Sequence, residues 1–418
     1  MKKLLIITPH FPPFPRVGTV RRIENFVRYL PAFQWQPVIL TMDWGYTDRP
    51  GSATPKIYST RNIALFSWKA YRSTEVTSAG SWRDVLTSSL IRLARTFKNY
   101  MLLPDELILW IFWVLPKLRR IVREEHPDAL FVNGPPFSTL LIGVLVKLFY
   151  HLPLVSDVRD DWVENPLTEK GNRLLNTIER RMERWVVRHS DKIIVVTPAS
   201  HALWSRRYPD CRAKICLLPN GYNEEEFSEV TAFPYDDFAL VHAGSLEAYR
   251  SPELLFRALT SLGAQTAKIG FYQYGLTIRD YKTMATEYGL DNIVHFEDII
   301  SGREAVSRIK GASALVLIPT CNAPTAIPGK AYEYLRAGKP IILISPPNAS
   351  TDFLNQFPQV YHVLPGDEIR LKEIVEQLVS RRDTTISTAS QEILKRFDRK
   401  ALTGELATLL SSVAEGNR

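Results

Sequence analysis

A lysine and a glutamate three residues apart form the most chemically suggestive pair in this chain of 418 residues. They lie in Ile327-Pro-Gly-Lys-Ala-Tyr-Glu-Tyr-Leu-Arg-Ala-Gly-Lys-Pro-Ile-Ile-Leu-Ile-Ser345. Pro328 and Gly329 break what precedes, Lys330 to Ala337 has helical character, Gly338 supplies a C-terminal stop, and Ile341 to Ile344 reads as a short strand. A helix puts Lys330 and Glu333 on one face near its N-terminus, where unpaired backbone N–H groups and the helix dipole favour an anion. A cation for phosphate then sits beside a carboxylate for hydroxyls. The plain alternative is a surface helix with a chance Lys–Glu pair.

Three other stretches carry candidate chemistry. Phe238-Ala-Leu-Val-His-Ala-Gly-Ser245 ends an apolar run in Gly244 and Ser245, with Arg250 close behind; His242 reads as a strand-end histidine rather than a base. Near the N-terminus, Pro12-Pro-Phe-Pro-Arg-Val-Gly-Thr-Val-Arg-Arg22 brings Arg16, Gly18 and Arg21 between a strand and a helix. No G-x-G-x-x-G is present, so a dinucleotide fingerprint is not supported, and Gly18 either admits a ligand to the backbone or merely closes the turn. Ser156-Asp-Val-Arg-Asp-Asp-Trp162 sits where a strand ends, and open α/β sheets place ligands at the carboxyl ends of their strands. Asp157, Arg159 and Asp160 are there either as a salt-bridged corner or as functional groups.

The elements that must position these residues alternate strand and helix. Strands are expected at Leu4–Thr8, Val38–Thr41, Ala129–Asn133, Leu154–Asp157, Lys192–Thr197 and Lys214–Leu218, with helices at Ile23–Leu30 and Ser138–Phe149. This spacing argues for a parallel sheet covered on both faces. A second series runs through Phe238–Ser245, Lys268–Tyr272, Ile293–Glu297, Ala314–Ile318, Ile341–Ile344 and Val360–Val363. The length exceeds one core, so two domains are expected, 1–219 and 220–393, with the acidic stretch Asn223–Asp237 as linker and a C-terminal helix in 394–418.

Residues 43–100 show little pattern beyond a basic segment with Arg83, Arg92, Arg95 and Lys98. The apolar run Leu107–Leu115 falls short of the roughly 20 residues that span a bilayer. It is either a buried helix or an interfacial one, with Trp110 and Trp113 at headgroup level beside Arg119 and Arg120. Met1 to Thr8 imitates a signal peptide, but Pro9, Pro12, Pro13 and Pro15 cut the apolar run short, so it reads as a strand.

A hydrophobic content of 45% excludes a disordered or fibrous chain. Cys211, Cys216 and Cys321 fit neither a disulfide framework nor a metal spacing, which points to a reducing, cytoplasmic compartment without a metal site. The net charge of +8 is unevenly spread: residues 1–220 carry 32 Lys and Arg against 19 Asp and Glu, a net +13, leaving 20 against 25, a net −5. Such a balance implies an anionic partner for the first half, such as a membrane surface or a phosphorylated acceptor; no nucleic-acid motif accompanies it. Arg173, Arg180, Arg184 and Arg188 fall on one side of a helix, opposite Leu174, Leu175, Ile178, Met182 and Trp185.

The stretch from Lys330 through Glu333 to Gly338-Lys-Pro-Ile341 resembles the donor-binding signature of the retaining glycosyltransferases of family four. Pro219-Asn-Gly-Tyr222 with Phe227, and Asp157-Val-Arg-Asp-Asp-Trp162, are similar to runs in the same family. The resemblance implies the GT-B fold, two Rossmann-like α/β domains with parallel sheets facing across a cleft, and a C-terminal helix, 394–418 with Leu402, Leu406 and Leu409, packing back on the first domain. It implies hexosyl transfer with retention from a nucleotide sugar, which is a co-substrate, so no cofactor is expected. Glu333 would bind ribose hydroxyls, Arg250 and Lys330 would neutralise the leaving diphosphate, and Gly244, Ser245, Thr325, Gly329 and Gly18 would border the donor. Arg16, Arg21, Asp157, Arg159 and Asp160 are the acceptor-side candidates. Two departures stand out: the family's first glutamate is replaced by Thr325, and an expected arginine by Ser245. They leave a nucleotide-sugar epimerase of GT-B fold, or a catalytically silent GT-B subunit that binds a glycan or partner, as rivals. The resemblance further implies a saccharide acceptor, linked to polyprenyl diphosphate for surface polysaccharide synthesis; the basic first half, with its arginine stripe and Trp110 and Trp113, adds the expectation of peripheral attachment to the inner face of the cytoplasmic membrane.

Overall fold

In the computed structural model the described residues are 1–12, 14, 18–44, 55–62, 102–163, 165–166, 172–246, 249–263, 268–277, 280–320, 322–380 and 388–416. They divide into two compact units, Met1–Leu218 with Thr403–Arg418, and Pro219–Leu402.

The first unit is built on β1 (Lys2–Ile7), β2 (Trp35–Met42), β3 (Lys56–Thr60), β4 (Ala129–Gly134), β5 (Leu154–Val158), β6 (Lys192–Val195) and β7 (Ile215–Leu217). The sheet order is β3-β2-β1-β4-β5-β6-β7, with every pairing parallel. Leu4 to Ile7 and Leu130 to Val132 are almost wholly buried, as expected for central strands covered on both faces. The helix Ser138–Tyr150 lies directly on β4: a Cβ on Gly143 would come within 2.8 Å of the Val132 methyls. The end of the chain belongs here too, with Trp35 donating to Ser411 at 3.3 Å and Lys2 paired with Glu415 at 3.0 Å. The passage between units falls at Leu402–Thr403, inside the helix Arg399–Glu415, so 394–402 lies in the second unit.

The second unit holds β8 (Phe238–Ala243), β9 (Ile269–Tyr274), β10 (Val294–Glu297), β11 (Ala314–Leu317), β12 (Ile341–Ile344) and β13 (Val360–Val363), in the parallel order β10-β9-β8-β11-β12-β13. Both sheets have strand order reversing beside a central strand, the arrangement that puts ligands at the carboxyl edge.

Four expectations change. β3 lies in the stretch read as patternless; its sequence Lys-Ile-Tyr-Ser-Thr is polar because it is an edge strand, exposed over its first half. Trp110 is fully buried and donates from Nε1 to the Thr60 hydroxyl at 2.7 Å, so it cannot lie at headgroup level. Its run splits into a tight turn of helix, Glu106–Trp110, and the helix Ile111–Glu125, which leaves Phe112 67% and Trp113 38% exposed. In Arg173–His189 the arginines do face solvent, but so does Leu174, while Glu179 and Glu183 are buried. Glu183 is tolerated there because it accepts from Arg207 at 2.8 Å, Tyr208 at 2.6 Å and the Val163 amide at 3.0 Å.

The expected linker is built into the second unit. Asn223 caps the helix Glu224–Glu229, Phe227 is buried, Arg336 Nε reaches Glu224 at 2.6 Å, and Lys310 donates to the carbonyls of Phe227 and Val230. Among the described residues no helix is long and apolar enough to cross a membrane. The basic segment around Arg83 to Lys98, and Cys321, lie outside the described residues.

Candidate active site

β8 runs out in His242-Ala-Gly-Ser245, and its end is held by neighbours on both sides. The Gly244 amide donates to Tyr274 at 2.9 Å, and the Gln273 side chain donates to the carbonyls of Gly244 at 2.9 Å and Gly275 at 3.1 Å. Gly275 must be glycine, since its φ is +139° and a Cβ would come within 2.6 Å of the Gly244 oxygen. On the other side the Ala243 amide donates to the Tyr334 hydroxyl at 2.8 Å. Tyr334 belongs to the helix Gly329–Ala337, so this bond fixes that helix against the strand end.

The helix has the boundaries its sequence suggests. Gly338 closes it at φ +72°, and Pro328 at its start provides no side-chain cap. Gly329 is exposed and opens onto space, with nothing within 4 Å of an added Cβ. Ala331 to Leu335 are all buried, which removes the surface-helix alternative: Glu333 is 3% exposed. Its carboxylate receives Lys330 Nζ at 3.0 Å and faces Arg399 Nη2 at 3.8 Å. Arg250, half-buried, donates from Nε to the Thr320 hydroxyl at 2.8 Å and from Nη1 to the Ser245 carbonyl at 3.4 Å, so its guanidinium bridges the ends of β8 and β11. Thr325 is half-buried in the turn that leads into the helix.

His242 sits beneath this group. Its Nδ1 lies 3.0 Å from the Val316 carbonyl, and Nε2 is buried without a hydrogen-bond partner. Burial, together with the positive charges of Arg250 and Lys330, lowers its pKa to about 4. One strand end, one helix start and one loop therefore gather Arg250, Lys330, Glu333, Gly244, Ser245 and His242. Such an edge can hold a diphosphate on its cations and backbone amides, and hydroxyls on Glu333.

The first unit places its candidates differently. Asp157 is fully buried and takes Arg22 bidentately, Nε to Oδ2 and Nη2 to Oδ1, both at 3.0 Å, while Arg22 also donates to the Leu218 carbonyl. Asp157 is thus the salt-bridged corner of the two alternatives. Arg159 is tied at its amide to Gly134 and at Nη2 to the Pro135 carbonyl, Asp160 is exposed, and Arg21 is half-buried. Gly18 begins the helix Gly18–Tyr29; Arg16 lies outside the described residues. Asp161, the next acidic residue of the run, receives Ser200 and Trp204.

Three residues escaped the sequence reading. Arg399 reaches Glu333 from 66 positions away and has no local signature. His10, just past β1, packs tilted against Phe14 and stacks on Trp44, with centroids at 4.5 and 5.4 Å, and burial with the Arg159 charge lowers its pKa to about 4. Asn133, in register with Asp157, is fully buried with both amide atoms unpaired. Each of the last two is a polar residue at the carboxyl end of an apolar run, which is the signal that could have found them.

The sequence family described as Glycosyltransferase Family 4 matches residues 17–226. No curated protein matches the chain significantly. Among solved structures it is similar to sucrose-phosphate synthase from Thermosynechococcus elongatus, with a TM-score of 0.70, 13% identity and 100% coverage of both chains. It is similar to Anabaena HepE in complex with UDP, at 0.65 and 15%, covering 99% of this chain and 100% of that one. A third likeness is to WaaG, a glycosyltransferase of lipopolysaccharide biosynthesis, at 0.59 and 13%, covering 97% and 99%. At these identities the likeness speaks for the fold, and with two parallel-sheet α/β units that fold is GT-B.

Proposed function

Since the chain belongs to Glycosyltransferase Family 4 and is a glycosyltransferase, we propose that it moves a hexosyl group from a nucleotide sugar to a saccharide acceptor with retention of anomeric configuration. The observation that carries the donor assignment is the buried Glu333 carboxylate beside Lys330 at the start of Gly329–Ala337, with Arg250 at the adjoining strand end. In this reading Glu333 accepts the ribose hydroxyls, while Lys330, Arg250 and the helix N-terminus hold the diphosphate. The anomeric C–O bond to the diphosphate breaks as the acceptor oxygen bonds to the same carbon. The acceptor proton passes to the departing phosphate oxygen, so no separate base is required. Charge grows on that oxygen in the transition state, and a cation already aimed at it contributes about 2.7–4 kcal/mol. Membership of a transferase family favours transfer over epimerisation.

Protein cations at this edge take the role a metal held by carboxylates would play, so turnover is expected to survive a chelator. Activity lost to chelator and restored by magnesium or manganese would count against this. The acceptor is proposed to be linked to polyprenyl diphosphate at a cytoplasmic membrane face, for surface polysaccharide. Support comes from the +13 balance of residues 1–220, the solvent-facing Arg173, Arg180, Arg184 and Arg188, and the exposed Phe112 and Trp113 near Arg119 and Arg120. Basic residues near an anionic leaflet contribute on the order of 1 kcal/mol each, enough in number for reversible attachment. Both a sucrose-phosphate synthase and a lipopolysaccharide enzyme share the fold, so the fold alone does not choose the acceptor. Flotation chooses: anionic vesicles should carry the protein at low salt and release it at high salt, and a chain that stays behind under both conditions excludes the membrane acceptor.

The donor is found by thermal shift with a panel of nucleotide sugars, since a ligand at about 100 times its Kd adds about 2.7 kcal/mol. Absence of any shift across uridine, guanosine and adenosine diphosphate sugars would remove the donor site as assigned.

A further inference from the structure

Resting on this donor-site reading, we infer that His242 is a ligand-induced third cation of the diphosphate site: its bare Nε2 takes up a proton as the diphosphate arrives and then donates to a phosphate oxygen.

The tautomer follows from the partners. A backbone carbonyl only accepts, so the 3.0 Å contact with Val316 requires the hydrogen on Nδ1. In the neutral ring Nε2 is then a lone pair, buried without a hydrogen-bond partner, while the Ser245 backbone beside the ring favours the protonated form. A buried polar atom left unpaired is destabilising, and such an atom calls for a function. Its place is defined by Gly244, where an added Cβ would stand 3.4 Å from Nε2, so the ring tip lies directly under the backbone that the diphosphate must approach.

The groups around the ring decide its charge. Burial opposes protonation most, joined by Arg250 from the loop after β8 and Lys330 from the helix, while the Val316 carbonyl and the Ser245 backbone favour it. Glu333, on the same helix, is engaged by Lys330 and faces Arg399. The groups that hold the strand end beside the ring are neutral: the Tyr334 hydroxyl bonded to the Ala243 amide, and the Gln273 amide bonded to Gly244. An incoming diphosphate brings negative charge that offsets both cations and reverses the balance at Nε2. A lone pair facing phosphate oxygens is repulsive, whereas an imidazolium N–H facing them is a charge-assisted hydrogen bond. Proton uptake from solvent therefore accompanies binding, and affinity rises as pH falls. The rival outcome is a neutral ring that accepts a sugar hydroxyl.

The test is NMR of the protein labelled with 15N-histidine. The chain has eight histidines, and His242→Gln, or His242→Asn if Gln does not fold, identifies the signals of this one. UDP, GDP and ADP are the probes, with binding itself followed by calorimetry. In the empty protein His242 should show the neutral Nδ1–H tautomer from pH 5 to 7.5. With a saturating nucleotide it should become imidazolium by pH 6. Wild-type affinity should gain several-fold more than that of the variant between pH 7.5 and 5.5; titration of the nucleotide itself is common to both proteins and cancels. A ring that stays neutral in the complex at pH 5.5, or an equal pH dependence in the variant, overturns the inference while leaving the donor site standing. If none of the three nucleotides binds, the donor site falls and the inference falls with it.

Discussion

Each unit puts arginine or lysine near the carboxyl edge of a parallel sheet, but the two edges use the charge in opposite ways. In the first, Arg22 is closed around Asp157 by two 3.0 Å bonds and by the Leu218 carbonyl, in an interior where both side chains are at most 6% exposed. In the second, the Lys330 side chain is 30% exposed and commits one of its three ammonium hydrogens to Glu333. A cation fully matched by a buried carboxylate holds elements together; one at a wet edge keeps capacity for an incoming anion. Proximity of opposite charges does not tell these apart, whereas burial and the number of donors engaged do.

The largest expected effect would break that contrast if it failed to appear. Arg22→Ala leaves Asp157 as a buried, uncompensated charge and should destabilise the first unit by about 3–5 kcal/mol in urea unfolding. Lys330→Ala removes a partner that is 30% exposed, and Arg399 still faces the buried Glu333 at 3.8 Å, so stability should fall by only about 1 kcal/mol. Equal losses in the two variants would show that both pairs are structural. Next in size, Arg250→Ala should lower kcat by about 100- to 1,000-fold with a much smaller change in donor affinity, because its charge is needed most when the phosphate departs. Smaller again is Glu333→Gln, which should raise the donor Kd about tenfold, or 1.4 kcal/mol, by weakening hydroxyl acceptance. An unchanged donor Kd in Glu333→Gln removes the ribose role.

The smallest effect is spread over both units. His10 and His242 each have a folded pKa near 4, below the usual 6.5. Between those values the unfolded chain binds more protons, so the stability these rings contribute is complete above about pH 6.5 and is lost as pH falls towards 4. His10→Gln should flatten that acid limb in melting curves; an unaltered limb would mean the His10 ring is not desolvated.

Legibility in the sequence followed the range over which each feature is encoded. Lys330, Glu333 and the Gly338 stop are local, and the helix formed where they indicated. The central strands were readable because burial on both faces makes them apolar, whereas β3 was not, its edge position allowing Lys56, Tyr58, Ser59 and Thr60. Trp110 could be read as buried or interfacial until Thr60 appeared as the partner of its indole N–H, a contact 50 positions away. Asn223–Asp237 looked like a linker because it is acidic and contains proline; its ties to Arg336 and Lys310 are long-range. Arg399 facing Glu333 is the same kind of information, set by where the chain returns after β13.

The central claim is that the start of Gly329–Ala337 holds the donor diphosphate. The most direct measurement is calorimetric titration of a nucleoside diphosphate into the wild-type protein and Lys330→Ala, with the melting temperature of each empty protein recorded alongside. One nucleotide should bind per wild-type chain, and Lys330→Ala should bind at least about tenfold more weakly while its melting temperature stays within a few degrees. Equal affinity in the two proteins would contradict the claim and place the diphosphate elsewhere.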